Sequence, residues 1–337
     1  MRDRHVTLAH GSGGQATRDL VERLFLPRFT NELLAPLNDN ALLEAVPGRL
    51  AFTTDAFVVK PLFFPGGDIG KLAVCGTVND LAVGGAKPLY VSASFVLEEG
   101  LPLEDLDSVA ASMAEAAREA EVQIVTGDTK VVDRGAADGM FITTTGIGAV
   151  PEGLDLSPTR IREGDAVLLS GTLADHGVAL YCLREGIDLA TDAVSDCACL
   201  GTLAAAVVES TGPSLHAMRD PTRGGLAASV VEMARAAAVS VELHEGAIPV
   251  RDSVRSACEV LGFDPLTVAN EGKLIAFVSP DRADAALRAL RKHPLGQEAA
   301  VIGEVVPSRD GLVWLSTAIG GRRIVDMPIG ELLPRIC

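Results

Sequence analysis

Aromatic side chains are scarce in this sequence, 4 % of 337 residues with one Trp and two Tyr, so a core must be packed mainly on Ala, Val and Leu. Long apolar runs are missing as well. None reaches the ~18 residues that a membrane helix needs, and the opening Met-Arg-Asp-Arg-His-Val lacks the apolar stretch of a secretory signal. No membrane partner is expected. Regular cysteine spacing is also absent: Cys75, Cys182, Cys197, Cys199, Cys258 and Cys337 fit reduced thiols in a cytoplasmic protein. Cys197-Ala-Cys199 could bind a soft metal, but no second Cys or His pair follows at zinc-site spacing. Positive charge is in deficit. Lys and Arg number 29 against 45 Asp and Glu, and the net charge of −16 argues against a nucleic-acid partner.

What is present is 48 % hydrophobic sequence, long enough for two domains with their own cores. The first half alternates helix and strand patterns. Residues 50–59 read as a strand whose alternation ends around Thr53-Thr54-Asp55. Residues 68–86 read as a helix with Ile69, Leu72, Ala73, Val78 and Leu81 on one side. A strand at 88–97 precedes a helix at 102–121, opened by Pro102 with Glu104 and Asp105 in its first turn. Strands at 122–132 and 140–150 follow. A polar, turn-rich segment at 152–163 marks a boundary, beyond which short strands and helices alternate again. The expected class is α/β (α+β), with domains at 1–152 and 153–317 and a mobile tail at 318–337. Pro328, Gly330 and Pro334 punctuate that tail, which ends in Arg335-Ile336-Cys337. Its last eleven residues reach at most ~36–40 Å, and Arg335 could favour thiolate at Cys337. Either the terminus is frayed or it is an arm that carries a thiol.

Aspartates recur beside apolar segments, at Asp39, Asp55, Asp80, Asp128 and Asp220. Singly, each reads as a turn or cap residue. Converging from several strand ends, they would suit Mg²⁺ and a nucleoside triphosphate. His10-Gly11-Ser12-Gly13-Gly14 could wrap phosphates with backbone N–H groups, or simply be flexible. Gly66-Gly-Asp-Ile-Gly-Lys71 misses the P-loop pattern, since Leu72 stands where Ser or Thr is required, and Lys71 reads as a solvated helix residue. Lys130 and Glu271 each sit in a polar turn between apolar runs, where a structural ion pair is the plain alternative to a catalytic role.

Together these segments resemble the HypE family of hydrogenase maturation factors, the carbamoyl dehydratases, over essentially the whole chain. The resemblance rests on residues 10–14, Thr53-Thr54-Asp55, residues 61–71, Gly76-Thr-Val-Asn79-Asp80, Gly127-Asp128-Thr-Lys130, Asp220-Pro-Thr-Arg-Gly-Gly-Leu226, Asn270-Glu271-Gly-Lys273 and Pro334-Arg-Ile-Cys337. It implies a two-domain aminoimidazole ribonucleotide synthetase-like fold, pairing as a homodimer through its N-terminal domains. ATP would contact Gly11, Gly13, Gly14, Thr54, Asn79 and Gly127. Mg²⁺ would be held by Asp55, Asp80, Asp128 and Asp220, with Asp39 a looser match. A HypF-type carbamoyltransferase would load Cys337, and ATP-dependent dehydration to a thiocyanate would use Glu271 and Lys130 for proton handling. The cyano group would pass to a HypC–HypD assembly. Selenophosphate synthetase and thiamine-phosphate kinase share the Asp scaffold, and a non-enzymatic thiol carrier is the remaining alternative.

Overall fold

The computed structural model describes residues 4–38, 40–187, 193–307, 310–330, 333 and 335–337. In the first half, strands β1 (Arg49–Phe57), β2 (Phe63–Phe64), β3 (Gly67–Asp68), β4 (Lys87–Glu98), β5 (Gln123–Val132) and β6 (Met140–Val150) form a sheet and a small hairpin. The sheet runs in the order β1-β6-β4-β5, with β4 and β5 parallel and the other pairs antiparallel; β2 and β3 are the hairpin. Helices α1 (Gln15–Leu20) and α2 (Leu26–Phe29), joined by a π-helical turn, pack with α3 (Ile69–Val83) and α4 (Leu103–Glu119). Asp68 starts α3, its Oδ1 accepting from the N–H groups of Gly70 at 2.7 Å and Lys71 at 3.1 Å. The expectation of an apolar stripe is corrected here. α3 is buried on nearly every side, because β1 and β6, α4 and a helix of the second half all pack on it.

Register decides which way each side chain of this sheet looks. Asp55 lies opposite Thr144, Thr144 opposite Ala93, and Ala93 opposite Gly127, so that row shares the face covered by helices. The next row, Ala56, Thr143, Ser94 and Asp128, looks the other way. That second face is bare, with Phe52 71 % and Leu50 56 % exposed.

The second half is a three-layer unit. Strands β7 (Ala166–Leu169), β8 (Leu215–Arg219), β9 (Ser240–His244), β10 (Ile275–Val278), β11 (Ala300–Val306), β12 (Val313–Ser316) and β13 (Arg322–Val325) lie in the order β13-β12-β9-β11-β7-β10-β8. Helices α5 (Asp175–Glu185), α7 (Gly225–Ala237) and α8 (Asp252–Leu261) cover one face, while α6 (Gly201–Thr211) and α9 (Pro280–Lys292) cover the other. Buried on both faces, β7 and β10 read as continuous apolar runs, Ala-Val-Leu-Leu and Ile-Ala-Phe-Val. The expected mobile tail begins too early at residue 318: β13 pairs antiparallel with β12. Its Arg322 and Arg323 keep an edge strand charged, which hides it from an apolar-pattern reading. Leu180, Cys197, Ala269 and Ile336 from this half complete the core of the first.

Candidate functional site

Acidic side chains from both halves meet where β1, α3, the turn after β8 and the 270–273 turn come together. Asp55 leaves β1 beneath α3, close enough that a Cβ on Gly76 would stand 4.0 Å from its Oδ2. Thr53 donates its hydroxyl to Asp80 at 2.6 Å. The expectation that these aspartates occupy turns is corrected for three: Asp80 is inside α3, and Asp55 and Asp128 are inside strands. Asp220 does follow a strand, and it is 9 % exposed.

Burial, reinforced by Asp80 and opposed by Arg223, lifts the Asp55 carboxyl to about 6. Burial, then Asp80 and Asp55, lifts Asp220 to about 7. Glu271 is buried with its Oε1 lacking a hydrogen-bond partner. Burial first, then Asp196, Asp220 and Asp55, hold its carboxyl well above the usual range. Repelling carboxyls with an orphaned oxygen describe a site short of positive charge. Among the described residues no three such side chains form a closed metal cage.

The chain terminus reaches the same place. The N–H groups of Val58 and Lys60, just beyond β1, donate to the carbonyls of Cys337 and Arg335, each at 3.2 Å. His176, fully buried at the start of α5, bonds the Ile336 carbonyl through Nε2 at 2.8 Å and the Ser195 hydroxyl through Nδ1 at 2.8 Å. A cavity of about 250 Å³ beside the terminus is lined by Arg223, Val58 and Cys337. The thiol faces Glu271, Arg223 and Asp55, and burial pushes its pKa up. Arg335 therefore does not create a thiolate here; its guanidinium pairs with Asp138. Docked, Cys337 is a neutral, half-buried thiol beside an acidic corner.

Two expected participants lie elsewhere in the chain. Asp128 and Lys130 pair with each other at 2.9 Å on the bare face of the sheet, the side opposite Asp55. Lys130 occupies β5 and no turn, and it does not meet Glu271. The Gly11–Gly14 loop packs on β5, where a Cβ at Gly11 would stand 2.4 Å from the Val131 nitrogen. Since β5 and β1 are opposite edges of the sheet, three strand spacings, about 14 Å, separate the strand this loop packs on from the strand of Asp55. Gly13 has φ +81°, and Gly14 precedes α1. Thr54 is exposed on the bare face, bonded to Thr145 Oγ1 at 2.9 Å. Gly127 permits close strand pairing, because a Cβ there would come within 2.1 Å of the Ala93 carbonyl. Asn79 spends its amide on backbone: Nδ2 donates to Ala198 at 3.0 Å, and Oδ1 accepts from Leu200 at 2.7 Å. Lys71 is half-buried, its Nζ returning to the Gly66 carbonyl at 3.1 Å. Asp39 and Pro334 lie outside the described residues.

Three residues outside the expected set complete the corner. Asp196 holds the Glu271 turn, accepting from Glu271 N at 3.0 Å, Gly272 N at 3.2 Å and Lys273 Nζ at 2.9 Å. Arg223 supplies the cation that faces Asp55, Glu271 and Cys337. His176 is the third. Arg223 was visible within Asp220-Pro-Thr-Arg223, whereas nothing local marks Asp196 or His176.

Two family models match the chain: the AIR synthase related protein N-terminal domain over residues 38–150, and its C-terminal domain over residues 162–315. Carbamoyl dehydratase HypE of Bradyrhizobium diazoefficiens is 55 % identical over 337 residues, spanning 100 % of this chain and 97 % of that protein. The Escherichia coli protein of the same name is 51 % identical over 338 residues, spanning 99 % of each. Among solved structures, hydrogenase maturation protein HypE in complex with ATP superposes with a TM-score of 0.94 at 50 % identity, covering 98 % of this chain and 99 % of that one. A HypE–HypF complex matches with a TM-score of 0.81 at 48 % identity, covering 92 % and 99 %. Thiamine monophosphate kinase from Aquifex aeolicus, at 18 % identity and TM-score 0.62, covering 83 % and 91 %, shares the fold alone.

Proposed function

The chain belongs to the HypE family, built from the AIR synthase related N- and C-terminal domains, and is a carbamoyl dehydratase of hydrogenase maturation; from that premise we propose how its residues divide the work. A carbamoyl group on the Cys337 sulfur becomes a thiocyanate. The carbamoyl oxygen takes the γ-phosphoryl of ATP and leaves as phosphate, the nitrogen gives up its two protons, and the C–N bond becomes triple. The observation that carries this assignment is the placement of the half-buried Cys337 thiol in the cavity beside Arg223, near Glu271 and Asp55.

Glu271 receives the nitrogen protons. A carboxylate that burial makes reluctant to ionise is a strong base once it has done so, and such a base contributes ~10² to 10⁴-fold. Arg223 balances the charge around Glu271 and the thiol. Asp55, Asp80 and Asp220 would hold Mg²⁺, which would offset phosphate charge. His176 and the Val58 and Lys60 amides align the tail. Tethering makes the reaction intramolecular, which lowers a barrier by up to ~7–11 kcal/mol when well oriented. Because the docked thiol is neutral, HypF loads Cys337 while the tail is out of the corner. The cyano group then goes to a HypC–HypD iron complex in the cytoplasm. Support for ATP and for HypF as partner comes from the HypE–ATP and HypE–HypF structures. We place the division between the two units at 152/153, with the second running on through β13 and the segment beyond Val325 carrying the thiol.

The bare face of the first sheet supports a homodimer. Phe52 and Leu50 stand exposed on the same face as Asp128 and Lys130, and such a face is usually covered. Joined there, each copy would bring its β5 face and Gly loop toward the other's acidic corner.

Intact mass after incubation with HypF, carbamoyl phosphate and ATP tests the central step. The expected sequence is thiol, thiocarboxamide, then loss of one water to thiocyanate, with none of it in Cys337→Ala. Equal thiocyanate in that variant would place the group on another cysteine and sink the reading.

A further inference from the structure

The dehydration uses one of six cysteines, and three of the others are gathered at one point. Cys75, in the middle of α3, has its sulfur 3.1 Å from that of Cys199, which belongs to the loop leading into α6. Cys197, from the same loop, is the third thiol beside Cys75. Cys75 and Cys197 are buried, while Cys199 is half-buried and lines an open cavity of about 460 Å³ between the two halves. Ala82, Pro88, Glu121 and Ala205 share that lining. A half-buried cysteine on a cavity wall, its sulfur touching a second thiol that solvent cannot reach, is the arrangement of an attacking and a resolving cysteine.

We propose that Cys75 and Cys199 form a reversible thiol–disulfide site, oxidised by a small disulfide of the glutathione class that enters through this cavity. The Cys199 sulfur attacks one sulfur of the small disulfide, and the released thiolate takes up the Cys199 proton. The Cys75 sulfur then attacks the Cys199 sulfur of the mixed disulfide, and the second small thiol leaves with the Cys75 proton. Two protein thiols are oxidised and one small disulfide is reduced to two thiols. The sulfurs need to close by about 1 Å to reach bonding distance. Their order of attack follows from access, and the neighbouring Cys197 and Cys199 thiols, then burial, hold Cys75 protonated.

The bond would join residues 124 apart in sequence and tie the first half to the second at a strategic place. One turn after Cys75, Asn79 already holds this loop. The loop in turn holds the Glu271 turn through Asp196 and Ala198, and Ser195 holds His176. Oxidation therefore fixes covalently the elements that surround the docked terminus, slowing any opening of the corner between turnovers.

The test uses full-length protein treated with oxidised glutathione, then digested without reductant. The expected product has lost two hydrogens, contains a Cys75–Cys199 cross-linked peptide and reverts with dithiothreitol. In Cys75→Ala, glutathione should remain attached to Cys199; in Cys199→Ser, Cys75 should stay unmodified. A wild-type protein that keeps glutathione on Cys199 without cross-linking, or reacts only at Cys337, overturns the proposal. In a second arm, protein already carbamoylated at Cys337 is oxidised and supplied with ATP. Thiocyanate formation should fall at least tenfold and recover on reduction, and an unchanged rate in cross-linked protein would overturn the locking role. Only this arm rests on the dehydratase reading. If reduced, carbamoylated protein makes no thiocyanate, that reading fails while the cross-link result stands.

Discussion

Asp220 concentrates the electrostatics of the corner in one residue. Its carboxyl is lifted from 3.8 to about 7, and that of Asp55 to about 6, first by burial and then by Asp80. A raised carboxyl pKa means that the folded protein holds a proton the unfolded chain has already released. Its stabilising contribution is thus complete below pH ~4 and is lost as pH rises through the folded value. Asp220→Asn removes this liability while keeping the shape. The variant should match wild type in Tm only below pH ~4, lead it increasingly as pH rises from there, and exceed it by several degrees at pH 8, at roughly 2–4 °C for each kcal/mol regained. Stabilisation by Mg²⁺–ATP should disappear in the same variant. A Tm difference independent of pH would mean that Asp220 acts only as a turn residue before Pro221.

Among the described residues, the C-terminal segment is held by a few hydrogen bonds and an ion pair, which suits the proposed docking and release of its thiol. Three backbone carbonyls within residues 335–337 are received by Val58, Lys60 and His176. His176→Leu leaves the buried Ile336 carbonyl without its partner, a loss of about 1–3 kcal/mol. Conversion of thiocarboxamide to thiocyanate should slow by about tenfold or more, with carbamoyl loading by HypF unchanged, both followed by intact mass. Equal slowing of loading would show that His176 supports the fold in general. The alternation of elements was legible because each carries its own local pattern, as in α4, where Leu103, Leu106, Val109, Ala110 and Met113 are all buried. Docking of the tail was not, since it depends on backbone carbonyls and on a histidine 160 residues away. The face on which Asp128 lies was hidden for a related reason. It follows from register across four strands, including an irregularity between Val91 and Ser92 where β4 meets β5, and no local motif encodes that.

At the scale of the whole molecule, the chain divides its candidate residues between two places that one copy does not unite. Asp55, Asp80, Asp220, Glu271 and Cys337 gather at the β1 edge, while Asp128 and Lys130 lie on the bare face of β5 and the Gly loop packs against β5 at Val131. If a homodimer joins the bare faces, the second group in one copy serves the first group in the other. Asp55→Asn and Asp128→Asn should then each abolish dehydration alone. Mixing the two inactive proteins under conditions that exchange subunits should restore it, because a mixed dimer has one site carrying both substitutions and one carrying neither. Random exchange at equal concentrations yields half mixed dimers with one working site of two, so about a quarter of wild-type activity is expected for a two-fold assembly. The mass shift to thiocyanate on the tail measures it, and separately tagged Cys337 tails tell which subunit is turned over. Two inactive variants that stay inactive after proven subunit exchange would place Asp55 and Asp128 in the service of a single chain, or remove Asp128 from the chemistry altogether.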